Sequence, residues 1–207
     1  MGQDTSKQTQ NSSGSGQNPS GDSQSSSGGG QGANEKTGDK PVFSAGETAL
    51  FVGGKKVGTL TREETFAFNA VKHDLQLATY TVSGETQSCS LTVKHNEKKR
   101  KVTLQDNRPT LRLQIVMSAG LLDCSSATTI ENATDAGDVP IGVFPLAEKK
   151  LAKEITSAFE KCRNCGCDLF GVGESLQKYK PTAYAAIKDY ALQNTLLDIQ
   201  IQFRNIR

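Results

Sequence analysis

Tryptophan is absent from this 207-residue chain, and histidine occurs only twice, as His73 and His95. Imidazole is the side chain whose ordinary pKa suits general acid–base work near neutrality, and it is the commonest metal ligand. Its scarcity leaves little material for either chemistry. Long apolar runs are missing too: no window approaches the roughly 20 residues that a membrane-spanning helix needs. The start has neither the basic end nor the apolar run of a secretory signal. The chain as given is therefore expected to be soluble. Charge of one sign is also lacking, since 24 Lys and Arg stand against 22 Asp and Glu, a net +2. A balance that even gives no electrostatic case for nucleic-acid binding.

The poverty is greatest at the start. Residues 1–40 are Ser, Gly, Gln and Asn, as in "QNSSGSGQNPSGDSQSSSGGGQG", with no aromatic and no branched aliphatic residue. Such a segment cannot bury enough apolar surface to offset the entropy of ordering it. It is expected to be a disordered Ser/Gly/Gln-rich linker or tether, with a root-mean-square span of roughly 35 Å. Residues 41–207 suit a single domain of ordinary size. An Asn-x-Thr sequence at Asn132 matters only in a glycosylating host.

Within that domain the hydrophobic period changes along the chain. "GETALFVGGKKVGTL" reads as a hairpin, with apolar runs at 49–52 and 57–60 around the turn Gly53-Gly54-Lys55-Lys56. Thr61-Arg62-Glu63-Glu64 then has the capping-box pattern, in which Thr61 and Glu64 satisfy each other's backbone amides at the start of a helix. Phe66, Ala70 and His73 would share one face of that helix. The two glutamates read as capping charges at the positive end of its dipole, not as a catalytic pair.

From Leu75 to Leu122 the period is two, in "LQLATYTV", "CSLTVKH", "KVTLQ" and "TLRLQIVM". Short polar turns between them predict antiparallel neighbours. "HNEKKRK" reads as such a turn, a solvated hairpin tip whose Lys98, Lys99, Arg100 and Lys101 discourage edge pairing. The sharper reading of these four is a contact patch for an anionic membrane surface or an acidic partner. "DCSSATTIENATDAGDVP" has no period and is expected to be an irregular loop.

After Pro145 the pattern is helical. Leu151, Ile155, Ala158, Phe159 and Cys162 fall on one stripe. "GESLQKYK" and "PTAYAAIKDYAL" are shorter helical pieces, the second with Pro181 in its first turn. "LLDIQIQF" alternates cleanly as a strand.

Five cysteines are present, three of them in "KCRNCGCD". Cys162 continues the apolar stripe, and Gly166 stands where a left-handed residue would stop the helix. A zinc site commonly needs a second ligand pair, and a thioredoxin-like dithiol belongs at a helix start. Neither condition is met, so ordinary thiols are expected at Cys162, Cys165 and Cys167. A metal site, a redox pair or a disulfide within 162–167 remain the alternatives. With an odd number, at least one thiol stays unpaired in an isolated chain. The glycines of Gly171-Val172-Gly173 do not match a dinucleotide loop and read as a chain turn. No catalytic residue, metal or cofactor is assigned.

"TALFVGGKKVGTLTREET" resembles the opening of the C-terminal domain of the Ger(x)C family of spore germination proteins, the C subunits of germinant receptors. "EKKLAKEITSAFEKCRNCGCDLFGVGESLQKYKPTAY" is similar to their long helix, their Asp-φ-φ-Gly-φ-Gly turn (here Asp168, Gly171 and Gly173, with apolar residues between) and the short helix after it. "LLDIQIQFRNIR" resembles their terminal strand. The resemblance spans most of 47–207; from Gln87 to Asp138 it is one of pattern only.

It implies an α+β domain: a mostly antiparallel, curved sheet packed against a long helix and two or three shorter ones. It also implies a non-enzymatic part of a lipoprotein on the outer face of the spore inner membrane, with integral-membrane A and B subunits as protein partners. The family's earlier domains and a lipobox cysteine do not occur in this sequence, and the three clustered cysteines are not part of the family pattern. A Ser/Gly-rich start would suit a tether downstream of a lipid-modified residue. The competing readings are a stand-alone extracytoplasmic module binding a small ligand or polymer, and a thiol redox or zinc protein.

Overall fold

A two-residue loop opens the structure. β1 (Thr48–Val52) and β2 (Lys55–Leu60) pair antiparallel with Val52 opposite Lys55. Gly53 and Gly54 both have positive φ, 55° and 79°. A loop of this kind demands that conformation at both central positions, and glycine adopts it without steric cost. The four-residue turn read from the sequence is thus two residues shorter, and Lys55 and Lys56 belong to β2. Leu50 faces Gly58 and Phe51 faces Lys56, so Val57 is an extra, bulged residue. The computed structural model describes residues 46–84, 87–126 and 139–206; the expected linker 1–40 and the Asn132 sequence lie outside them.

α1 (Arg62–Lys72) follows at once. Thr61 Oγ1 accepts from the Glu64 amide at 3.3 Å, and the Glu64 carboxylate accepts from the Thr61 amide at 2.8 Å. Its buried residues are Glu64, Thr65, Ala67, Phe68, Ala70 and Val71. The face expected from sequence was turned: Phe66 is only half-buried, stacked on Tyr80 with ring centroids 4.9 Å apart, and His73 is the exposed C-cap.

The main sheet has the order β3-β4-β5-β6, with β3 at Ala78–Ser83, β4 at Gln87–Gln105, β5 at Arg108–Ser126 and β6 at Leu196–Asn205. The first three run antiparallel and β6 lies parallel to β5. A parallel partner requires a long crossover, and the helices supply it.

β4 and β5 are 19 residues each and meet at Asp106-Asn107, both at positive φ, another two-residue loop. Here the sequence reading fails in an instructive way. "HNEKKRK" is not a hairpin tip but the middle of β4, paired residue by residue with Ser118 to Arg112. Lys94 is a bulged residue between Val93 and His95. A one-residue insertion exchanges the two faces of a strand. Before it Leu91 and Val93 are buried; after it Asn96 is. The alternation breaks at that point, and the charges that follow look like a loop. A second bulge leaves Leu122 without an opposite residue and exposed. Asp123 to Ser126, expected in the irregular loop, continue β5; residues 127–138 are outside the described ones.

α2 (Val143–Asn164) lies across the sheet against β6 and β3, with α1 beside it. Leu151, Ile155, Ala158, Phe159 and Cys162 are all buried, at most 1 % exposed. α3 (Val172–Tyr179) and α4 (Pro181–Ile187), the latter with Pro181 at its first position, complete the helical layer. The fold is α+β with a mostly antiparallel sheet. One of its faces is covered by helices, and the bulges at Lys94 and Leu122 bend it.

Candidate functional site

The turn between α2 and α3 is held by several specific contacts. Asp168 accepts from the Val172 amide at 2.8 Å with one carboxylate oxygen and from the Gly173 amide at 2.7 Å with the other. It thereby satisfies two amides at the start of α3, where negative charge is favourable. Gly171 sits at φ 70°, and a Cβ there would stand 2.7 Å from Arg100 Nη1. At Gly173 a Cβ would meet the Tyr184 hydroxyl at 2.9 Å and Asp168 Oδ2 at 3.1 Å. Gly171 is required by its backbone conformation, and a side chain at Gly173 would crowd the Tyr184 hydroxyl and the capping Asp168 carboxylate. Arg100 reaches across from β4 and donates to the Phe170 carbonyl and, at 3.4 Å, to Ser175 Oγ.

The neighbouring cysteines close the preceding helix. Gly166, at φ 70°, donates to the Arg163 carbonyl at 3.2 Å, and Cys167 donates to that of Cys162 at 2.9 Å. This is the Schellman stop, whose two bracketing side chains characteristically pack together. Here those positions hold Cys162 and Cys167, both buried. Burial pushes the Cys162 thiol up to about 12 and also raises that of Cys167. Neither is a ready nucleophile, because the thiolate is the reactive form. Cys165 is half-buried, its Sγ 3.4 Å from the Cys162 carbonyl oxygen. Among the described residues no three His, Cys, Asp or Glu side chains are grouped so as to hold a metal ion. Cys89 and Cys124, the two cysteines outside that cluster, face each other across β4 and β5 and form a disulfide. Only the strand register brings them together, and no local signal carries it.

Glu64 does more than cap. Its carboxylate also accepts from Ser157 Oγ at 2.7 Å and from Lys161 Nζ at 2.7 Å, both on α2. Burial opposes its charged form, yet the bonds from Lys161, Ser157 and the Thr61 amide outweigh that, and the carboxyl lies below its ordinary value. Two further positions escaped the sequence reading. Asn96, 1 % exposed, donates to the Ala70 and His73 carbonyls and accepts from the Leu75 amide, closing the end of α1. Glu148 on α2 accepts from the Phe203 amide of β6 at 2.8 Å.

The four consecutive cations do not act as one patch. Lys98 and Arg100 turn toward the helical layer, Lys98 paired with Asp74 and Arg100 with the α3 turn. Lys99 is on the opposite, open face, where it lines a shallow cavity of about 340 Å³ with Glu97, Gln114, Gln200 and Gln202. By alternation Lys101 shares that face. A second cavity, of about 320 Å³, lies between β2 and the end of α2, lined by Val57, Lys161, Asn164 and Cys165 among others.

Comparison with known proteins bears on the whole domain. A search of the curated proteins finds no match. Among solved structures, the crystal structure of the GerBC protein is similar, with a TM-score of 0.59 over 74 % of this chain at 16 % identity. At that identity the likeness concerns the fold. The chain spans about half of GerBC, 48 % of its length. The family model described as spore germination B3/GerAC like, C-terminal, matches residues 46–206, from just before β1 to just past the end of β6. The chain belongs to the spore germination B3/GerAC-like C-terminal family.

Proposed function

We propose that residues 41–207 serve as a non-catalytic domain of a germinant-receptor C subunit, acting in nutrient-triggered spore germination through protein–protein contacts. The observation that carries this reading is the family match over 46–206; the GerBC-like fold supports it. In this reading the partners are the integral-membrane A and B subunits, and the site of action is the outer face of the spore inner membrane, reached through a lipid anchor on the mature protein. No described helix is long and apolar enough to cross a membrane. The polar groups placed with care, Asp168, Arg100, Glu64 and Asn96, are bonded to backbone groups or to neighbouring side chains of the fold, as suits a structural scaffold. Affinity purification of the tagged protein from spore membranes should recover A- and B-type subunits, and deletion should slow germination in nutrients but not after a stimulus that bypasses the receptor. Failure of both would refute the reading.

A further inference from the structure

Every residue from Phe51 to Val57 is exposed, and this run holds the end of the β1–β2 hairpin. Phe51 is 58 % exposed, Val52 41 % and Val57 39 %. Three sizeable exposed apolar side chains thus flank the loop together with Lys55 and Lys56, Val57 standing at the rim of the cavity toward α2, and residues 48–60 contain no acid. The arrangement is built in: the bulge at Val57 sets that side chain out of register, and the two glycines close the loop with no side chain of their own. Leu50, one residue before Phe51, is 2 % exposed and anchors the hairpin to the core. We infer that this hairpin end is a docking point for an anionic lipid surface.

The small extent and the charge of the patch favour lipid over a protein partner. A standard protein interface takes about 800 Å² from each side, more than these three side chains supply. A bilayer needs no matching pocket: apolar groups enter the boundary between headgroups and chains, while lysine stems lie along it with their ammonium groups at the anionic headgroups. The positive pair rimming the apolar trio has the complementary sign. The inference goes beyond the receptor reading and does not depend on it.

The absence of tryptophan makes the test direct. Phe51→Trp places a single indole at the hairpin end of the full chain. With vesicles of mixed phosphatidylcholine and phosphatidylglycerol, its emission should shift to the blue and be quenched by brominated lipid. Phosphatidylcholine alone should give much less, and added salt should weaken binding. In that background Lys55→Glu with Lys56→Glu should reduce partitioning at least about tenfold, and Val52→Asp should abolish the shift. The urea midpoint of each variant should stay that of the parent. No blue shift with anionic vesicles would overturn the proposal. So would binding that survives the hairpin substitutions but is lost on Lys99→Glu with Lys101→Glu. A shift produced by a soluble protein partner and not by vesicles would reassign the surface and overturn it as well. The assay contains no receptor subunits, so its result is separate from the purification test.

Discussion

β5 presents two faces of opposite character within one strand. Leu111, Leu113, Ile115 and Met117 look toward the helices and are at most 2 % exposed, whereas Arg112 and Gln114 between them are exposed and Val116 and Ser118 half-buried. β6 repeats the pattern: Phe203 is buried, and Gln200, Gln202 and Arg204 are exposed. On the open face the strands are joined by polar pairs, Arg112 with Asp198 at 2.6 Å, Gln114 with Gln200 at 2.9 Å, and Arg204 with Glu97. A mostly antiparallel sheet with one parallel edge strand tolerates this arrangement because one packed face suffices to bury its apolar surface. The difference teaches where the sequence is free. Stability rests on the helix side, and residues on the open side can change with little loss of fold.

The sharpest way to probe the contrast is to empty the covered side. Phe159 is 1 % exposed and meets Phe170 edge-on at 5.4 Å. Phe159→Ala should cost about 3–5 kcal/mol, a large share of what a domain of this size possesses. Urea unfolding followed by circular dichroism would measure it. A loss comparable to that of an open-face substitution would mean that α2 is not packed as described.

A smaller loss is expected at Glu64, where cap and cross-helix bonds coincide. Glu64→Ala removes both and should cost about 2–3 kcal/mol; the pair with Lys161 adds little to this, because that ammonium is 43 % exposed and screened. The pH dependence has a definite sign. Glu64 titrates lower in the folded chain than its ordinary 4.5. Its contribution is therefore complete above about pH 4.5 and disappears as the pH falls through the depressed folded value. Stability differences between the parent and Glu64→Gln, measured from pH 7 downward, should close in that window. Glu154 beside Tyr80 is the opposite case: burial raises its value, so the parent should lose ground to Glu154→Gln as the pH rises. Parallel curves for both pairs would refute the assignment.

What the sequence discloses of this fold depends on the range of each signal. The hairpin glycines, the Thr61–Glu64 pattern, the α2 stripe and the alternation of β6 are all written within a few residues, and each could be read. The identity of the terminal strand's neighbour could not, since β5 and β6 are brought together by a crossover of some seventy intervening residues. The Cys89–Cys124 pair needs register, and register follows from two bulges that no periodicity announces. The bulge at Lys94 also hid a strand behind its charges. Asn96 was invisible for the same reason: a polar residue in a polar run acquires meaning only when Ala70 and His73 lie beneath it. At the α3 turn the glycine and aspartate pattern was legible, but Arg100, from seventy residues earlier, was not.

That turn gives the third prediction. Gly171→Ala forces an L-residue into φ 70° and drives its Cβ against the end of Arg100. The backbone cost is about 1–2 kcal/mol; the guanidinium is at the far end of a flexible chain and can retreat. Arg100→Ala in the same background should therefore remove part of the penalty, and a double-mutant cycle on the urea midpoints would show it. A cycle with no coupling would mean that Arg100 does not lie against the turn.

The smallest effects belong to the open face, and they complete the comparison. Gln114 and Gln200 share one hydrogen bond at the surface, where water competes for both amides. Arg112 and Asp198 form an ion pair whose side chains are 56 % and 37 % exposed, so it is well screened. Gln114→Ala and Arg112→Ala should each move stability by less than about 1 kcal/mol, the first by less than about 0.5. Arg112→Ala should also lose its small effect in high salt, since exposed charges are screened within about 10 Å at moderate ionic strength. If either substitution instead costs several kcal/mol, the polar rows are holding the sheet together and the one-sided view of it is wrong. If stability is unmoved while a partner or ligand is lost, the open face has a contact role that the fold does not require of it.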